Sequence, residues 1–190
     1  MIKAVIFDCF GVLVTEGWLP YKARHFGHDQ RRMQEATDLN KSCDAGFISY
    51  QDFLVGIAGL AGLSVQETRN QIESNVANTP LFTYIKELKP LYKLGFLSNA
   101  GANFLNDLFS PEQLGLFDAL NLSYQTGFAK PDSRAYSKIA EKLGVQTEAW
   151  AFIDAQERQC QGAQAAGMQA IHYKNFEQSK LLLETLLHQV

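Results

Sequence analysis

The opening run MIKAVIFDCFGVLV limits the fold more than any other stretch of this chain. Ala4, Val5, Ile6 and Phe7 are continuously apolar and end on a carboxylate, Asp8. A run this short and this uniformly apolar predicts a strand, residues 3–8, covered on both faces as in a parallel sheet. Asp8 then stands at the strand's carboxyl end, where open α/β sheets hold their ligands. Gly11 permits a tight turn off the strand, and Val12 to Val14 extend the apolar signal as a small hairpin. On this window alone, a nucleophile or metal ligand and a strand-end Asp that merely caps a turn fit equally well.

Residues 15–80 lose strand character. His28-Asp29 opens a helical pattern with Met33, Ala36, Thr37, Asn40 and Cys43 in step, and Gly46 suits its end. Ser49-x-x-Asp52 and Ser64-x-x-Glu67 are capping signals. The first starts a helix with Phe53, Ile57 and Leu60 on one face. The second starts a helix with Thr68, Ile72 and Val76 inward. From Pro80 onward strands and helices alternate. A helix bearing Phe82, Ile85 and Leu88 is broken by Gly95. Phe96-Leu97 then forms a strand ending at Ser98-Asn99, and Asn103–Phe109 forms a helix. Strands follow at 119–123, 150–153 and 170–173, with helices at 133–143, 157–166 and 181–187. The alternation predicts an α/β fold: a Rossmann-like parallel sheet with right-handed crossovers, interrupted after its first strand by a small helical block.

A net charge of −3 with a pI near 5.8 argues against a general nucleic-acid binder. No uncharged run approaches a membrane span. Cys9, Cys43 and Cys160 lack C-x-x-C spacing, and their odd number suits a reducing, cytoplasmic setting.

Four predicted strand ends are polar or lead to a polar residue: Asp8, Ser98-Asn99, Lys130 just past the third strand, and Asp154. In a parallel sheet these ends share one edge. Two carboxylates there suit a hard cation such as Mg²⁺, which bridges to substrate phosphate. A hydroxyl and an ammonium hold the remaining phosphate charge. One Asp is then free to attack phosphorus and form an aspartyl-phosphate.

In FDCFGVLV, FLSNAG, AKPD and FIDAQERQCQGAQAAGM the chain resembles the haloacid dehalogenase superfamily. DAGFISYQDF resembles the subgroup of sugar-phosphate phosphatases and epoxide hydrolase amino-terminal phosphatase domains. The resemblance implies a core of residues 1–14 and 81–190 with an all-helical cap at 15–80. It implies Asp8 as nucleophile and Asp8, Asp154 and the Phe10 carbonyl as Mg²⁺ ligands. Ser98 and Lys130 would bind the transferring phosphoryl group, assisted by backbone N–H groups near Asn99. The expected substrate is a small phosphorylated metabolite and the expected assembly a monomer or homodimer.

Two positions depart from that pattern. Most phosphatases of the superfamily place a second Asp where this chain has Phe10, and that Asp protonates the leaving group. A second acid commonly follows the position of Asp154, where this chain has Ala155, with Glu157 the nearest substitute. An aromatic at position 10 resembles the metal-free 2-haloacid dehalogenases, but those lack the acid retained here as Asp154. A retained carboxylate facing Asp8 calls for a cation between them. A third reading is a weakly catalytic domain that binds a phosphorylated ligand or a partner. Arg24, near Trp18 and Tyr21, is a candidate to steer an anionic substrate. Asn103 suits a helix cap, and Arg134 and Glu157 suit supporting pairs around the site. Cys9 reads as packing, and His25 and His28 as surface residues.

Overall fold

A computed structural model describes residues 1–188. Five parallel strands form one sheet in the order β3-β2-β1-β4-β5. They are β1 (Ala4–Phe7), β2 (Lys93–Ser98), β3 (Ala119–Leu122), β4 (Trp150–Asp154) and β5 (Gln169–His172). β1 is central, and all four of its residues are buried. Alternation along it divides the core. Val5 and Phe7 face one apolar cluster with Ile85, Leu94 and Phe96, while Ala4 and Ile6 face another with Tyr136, Trp150 and Phe152. The helices between strands supply the outer layers: α5 (Thr79–Leu88) and α11 (Phe176–Leu187) on the first side, α9 (Ser133–Leu143) and α10 (Glu157–Ala165) on the second. Each buried Phe or Ile contributes about 1.5–3 kcal/mol.

Between β1 and α5 lie α1 (Trp18–Phe26), α2 (Gln30–Asp44), α3 (Tyr50–Ala61) and α4 (Val65–Ile72). They enclose their own apolar cluster, including Phe26, Phe53, Leu54 and Ile57. The capping signals hold. Asp29 accepts from the Arg32 N–H, and Ser49 from the Asp52 N–H. Ser64 and Glu67 form a reciprocal capping box.

Several expectations need correction. Val12–Val14 is no hairpin. The N–H groups of Val12, Leu13 and Val14 all turn back on the Cys9 carbonyl. α1 was not anticipated, and its N-terminus is held by Glu16 Oε1, which accepts from the N–H groups of Trp18 (2.6 Å) and Leu19 (3.1 Å). The end of α2 needs no correction: Asp44 is its last residue, Ala45 its C-cap, and Gly46 follows as the C′ residue in the left-handed region with φ 76°. α4 ends at Ile72, leaving Val76 exposed instead of inward. Gly95 does not break a helix but lies inside β2, because a Cβ there would come 2.6 Å from Ile6 Cδ1. The helix expected at 103–109 is one turn, α6 (Leu105–Leu108), followed by α7 (Pro111–Leu114). Ser123 leaves β3 to start the short α8 (Ser123–Thr126).

Candidate active site

Register sets the site. Phe7 lies level with Phe96 on one side and Ile153 on the other. The next step along the chain therefore puts Asp8 beside Asp154, and the Asp8 N–H continues the ladder to the Ile153 carbonyl at 2.9 Å. The Lys130 ammonium joins the two carboxylates. Its Nζ donates to Asp8 Oδ1 at 2.7 Å and to Asp154 Oδ2 at 2.6 Å. The three side chains are 2%, 7% and 0% exposed for Lys130, Asp8 and Asp154, so this is a buried charge triad. Asp154 Oδ1 is held in turn by the Gln156 N–H at 2.8 Å. The Phe152 ring lies beneath the ammonium, 5.2 Å from its centroid.

Asn99 delivers Lys130 to this position. Its Oδ1 accepts from the Lys130 N–H and its Nδ2 donates to the Lys130 carbonyl. Ser98 is buried, with its hydroxyl donating to the Asn99 carbonyl at 3.2 Å. Ser98 itself does not line the adjoining cavity, whose wall begins at the next residue, Asn99.

Burial opposes charge throughout the triad. It alone would push Lys130 down, but Asp154 and Asp8 hold the ammonium above the ordinary lysine value. For Asp8, burial and then Asp154 push the carboxyl up, while Lys130 pulls it back. Two buried carboxylates against one ammonium leave a negative charge uncompensated.

Asp8 and Lys130 floor a cavity of about 680 Å³ between the sheet edge and the inserted helices, with Phe10 and Asn99 beside them, while Asp154 is fully buried behind Lys130 and does not line it. Phe10 packs on Phe104, with ring centroids 5.0 Å apart. Asn103 borders the cavity and caps α6 through the Leu105 N–H. Arg24 is exposed and does not border the cavity, because α1 turns it outward; Lys22, Arg69 and Arg158 are basic side chains that do. Glu157 is also exposed and outside the wall. Arg134 pairs with Asp132 and stacks over Phe128, away from the triad. Cys9 is fully buried, and burial pushes its thiol up. Sequence reasoning missed the cavity residues Glu16, Asp44 and Gln159. The first two come from the inserted helices and their approach, where chain spacing does not reveal which face meets the core.

The sequence matches the family described as haloacid dehalogenase-like hydrolase over residues 2–167. This chain belongs to the haloacid dehalogenase-like hydrolases. A curated relative, phosphatase MT3486 of Mycobacterium tuberculosis, is 47% identical over 55 residues. The match spans 29% of this chain and 25% of that relative's length. The HAD family enzyme bt-2542 of Bacteroides thetaiotaomicron, solved with magnesium and inorganic phosphate, superposes with a TM-score of 0.70 at 23% identity. That match covers 92% of this chain and 95% of that one. A 2-haloacid dehalogenase of Pseudomonas syringae superposes with a TM-score of 0.64 at 16% identity over 100% of both chains. At these identities the two structures establish the shared fold.

The donor set of this hydrolase suits a hard cation. Asp8 and Phe10 border the cavity and offer carboxylate and carbonyl oxygen. Asp154 lies behind them with its oxygens held by Lys130 and the Gln156 N–H, and Gln159 lines the same cavity with a buried amide oxygen that has no hydrogen-bond partner. No group of three or more His, Cys, Asp or Glu side chains with metal-binding geometry occurs among the described residues. Such a cation would therefore depend on backbone, amide, water and substrate oxygens for the rest of its shell. Position 155 adds no carboxylate, and the Ala155 Cβ packs tightly against Gly11. No helix among the described residues is long and apolar enough to cross a membrane.

Proposed function

We propose that this hydrolase is a Mg²⁺-dependent phosphoric monoester hydrolase acting on a small phosphorylated metabolite. The observation that carries the reading is the single ammonium of Lys130 clamped between Asp8 and Asp154 at the floor of the cavity. Asp8 attacks phosphorus through a carboxylate oxygen. The bond to the leaving oxygen breaks, and the phosphoryl group rests on Asp8 as an acyl phosphate. Lys130 and the Ser98 hydroxyl hold the phosphoryl oxygens as charge moves onto them. Water then attacks phosphorus, the acyl phosphate bond breaks, and the Asp8 carboxylate is restored. Asp8, Asp154 and the Phe10 carbonyl would hold Mg²⁺, which would supply neutralisation of phosphate charge when bound. Residues 15–80 act as a cap that excludes water and selects the substrate.

A 2-haloacid dehalogenase reading has one feature in its favour, the aromatic side chain of Phe10. Asp154 weighs against it, since displacement of halide by Asp8 requires no second buried carboxylate beside the nucleophile. Phosphate release from a panel of phosphorylated metabolites, with halide release from short haloacids measured in parallel, separates the readings. Phosphate release that needs Mg²⁺ and disappears in Asp8→Asn is the expected result. Metal-independent halide release would establish the alternative, and ligand binding without any release would leave a binding protein.

A further inference from the structure

With Phe10 in the position of the usual proton donor, a phosphatase of this kind must draw its proton from elsewhere or leave alkoxides unprotonated. Besides Asp8, the cavity wall carries Glu16, Asp44, Glu73 and Asp107. Glu16 is committed to the start of α1, where it accepts from two backbone N–H groups. Glu73 is paired with Arg69 at 2.8 Å. Asp107 is exposed to solvent. Asp44 differs from all three. Its side chain has one partner, the Asn40 amide, which donates to Oδ2 at 2.9 Å.

The backbone of Asp44 is fixed to the catalytic edge by contacts that do not involve its carboxyl group. The Ser123 hydroxyl donates to the Asp44 carbonyl at 2.5 Å and accepts from the Ala100 N–H at 2.9 Å. One hydroxyl thus joins the end of α2 to the loop two residues past Ser98. The preceding residue, Cys43, lies so close to Gly101 that a Cβ there would sit 2.0 Å from its sulfur. The end of α2 is therefore seated on the loop that follows β2, and Asp44 looks into the same cavity as Asp8 and Lys130.

We infer that Asp44 is the general acid–base of this site, supplying from the inserted helices the proton that position 10 cannot. The inference rests on the phosphatase reading above. In the first step Asp8 forms its bond to phosphorus, the leaving-group P–O bond breaks, and its electron pair takes the proton of the neutral Asp44 carboxyl. In the second step the Asp44 carboxylate accepts a proton from the attacking water as the bond between phosphorus and Asp8 breaks. Asp8 leaves as carboxylate, inorganic phosphate is released and Asp44 is neutral again. The protonation state fits the task. Burial lifts Asp44 to about 7; the Asn40 hydrogen bond and the Lys130 charge pull it down, and Glu16 pushes it up. Besides the acids already named and Lys130, the ionisable groups on the wall are Lys41 and Cys43 on α2, Lys22 on α1, Tyr50 on α3, Arg69 on α4 and Arg158 on α10. A carboxyl poised near neutrality serves both directions of transfer.

The test is a leaving-group series on wild type, Asp44→Asn and the double variant Asp44→Asn/Phe10→Asp, with Mg²⁺ present. Asp44→Asn should lose about 10²-fold or more in kcat on alkyl phosphates and far less on p-nitrophenyl phosphate, whose leaving group needs no proton. The slope of log(kcat/KM) against leaving-group pKa should steepen, and Phe10→Asp in the same chain should restore the alkyl substrates. An unchanged slope in a variant that still turns over p-nitrophenyl phosphate would sink the role of Asp44 alone. Absence of Asp8-dependent phosphate release from wild type would instead remove the phosphatase reading. Should Asp44→Asn fail to fold, the wild-type pH profile decides: a limb near neutrality on alkyl phosphates, absent on p-nitrophenyl phosphate, supports the inference, and identical profiles overturn it.

Discussion

Asn99 grips Lys130 by its backbone, accepting from the Lys130 N–H at 2.7 Å and donating to its carbonyl at 2.9 Å. One amide side chain at the end of β2 therefore sets the position of an ammonium that two carboxylates share 31 residues later in the chain. Both halves of the amide are used, so neither an acid nor a hydrocarbon of similar size replaces it.

Asn99→Ala and Asn99→Asp should both displace Lys130. Loss of two hydrogen bonds, each worth about 0.5–1.5 kcal/mol, lowers stability modestly. The larger effect is on kcat, since a displacement of about 1 Å at a reacting centre can cost 10²-fold. Steady-state kinetics on p-nitrophenyl phosphate, with a melting curve as control, separates the two effects. Equal kcat in wild type and variant would show that Lys130 holds its place without Asn99.

Lys130→Met keeps the stem and removes the charge. Asp8 and Asp154 are then left buried and facing each other, a loss of about 3–5 kcal/mol for breaking such a pair from one side. Urea denaturation should show that drop, and turnover should disappear even where the variant is folded. A variant of unchanged stability would mean that solvent or a bound cation already screens the two acids.

The raised Asp44 carboxyl carries a pH signature in stability. In the unfolded chain it titrates near the ordinary value of about 3.9, and in the fold near about 7. Its contribution is complete below the unfolded value and is lost as pH rises through the folded one, because only the native state holds the proton across that window. Urea midpoints of wild type and Asp44→Asn, compared at about pH 4 and about pH 8, should therefore shift in the variant's favour at the higher pH. Parallel curves would show a carboxyl that is ionised in the fold.

Much of this architecture was legible because its signals are local. Asp29, Ser49 and Ser64 bond to N–H groups three residues ahead. The uniform apolarity of β1 announces a strand covered on both sides. The meeting of Asp8, Lys130 and Asp154 could be expected because parallel strands end on one edge. α1 escaped because Gly17 offers no capping side chain; Glu16 followed by Pro20 within the first turn was the available sign. Gly95 was misread for a different reason. Its lack of a side chain answers Ile6 on the neighbouring strand and Ile139 on α9 above it, which no chain neighbour reveals.

The amino-acid order alone determined the alternation of strands and helices, the capped starts of α2, α3 and α4, that the strands run parallel, and which residues stand at the sheet's carboxyl edge. Those properties follow from periodicity, capping and crossover geometry, all of which act between chain neighbours or at a shared edge. Only tertiary structure decided that Arg24 faces away, that Asn99 carries Lys130 into the triad, and that Asp44 looks into the cavity. Each depends on how helices cross over the sheet and which side chains meet there, an outcome of packing between segments distant in the chain.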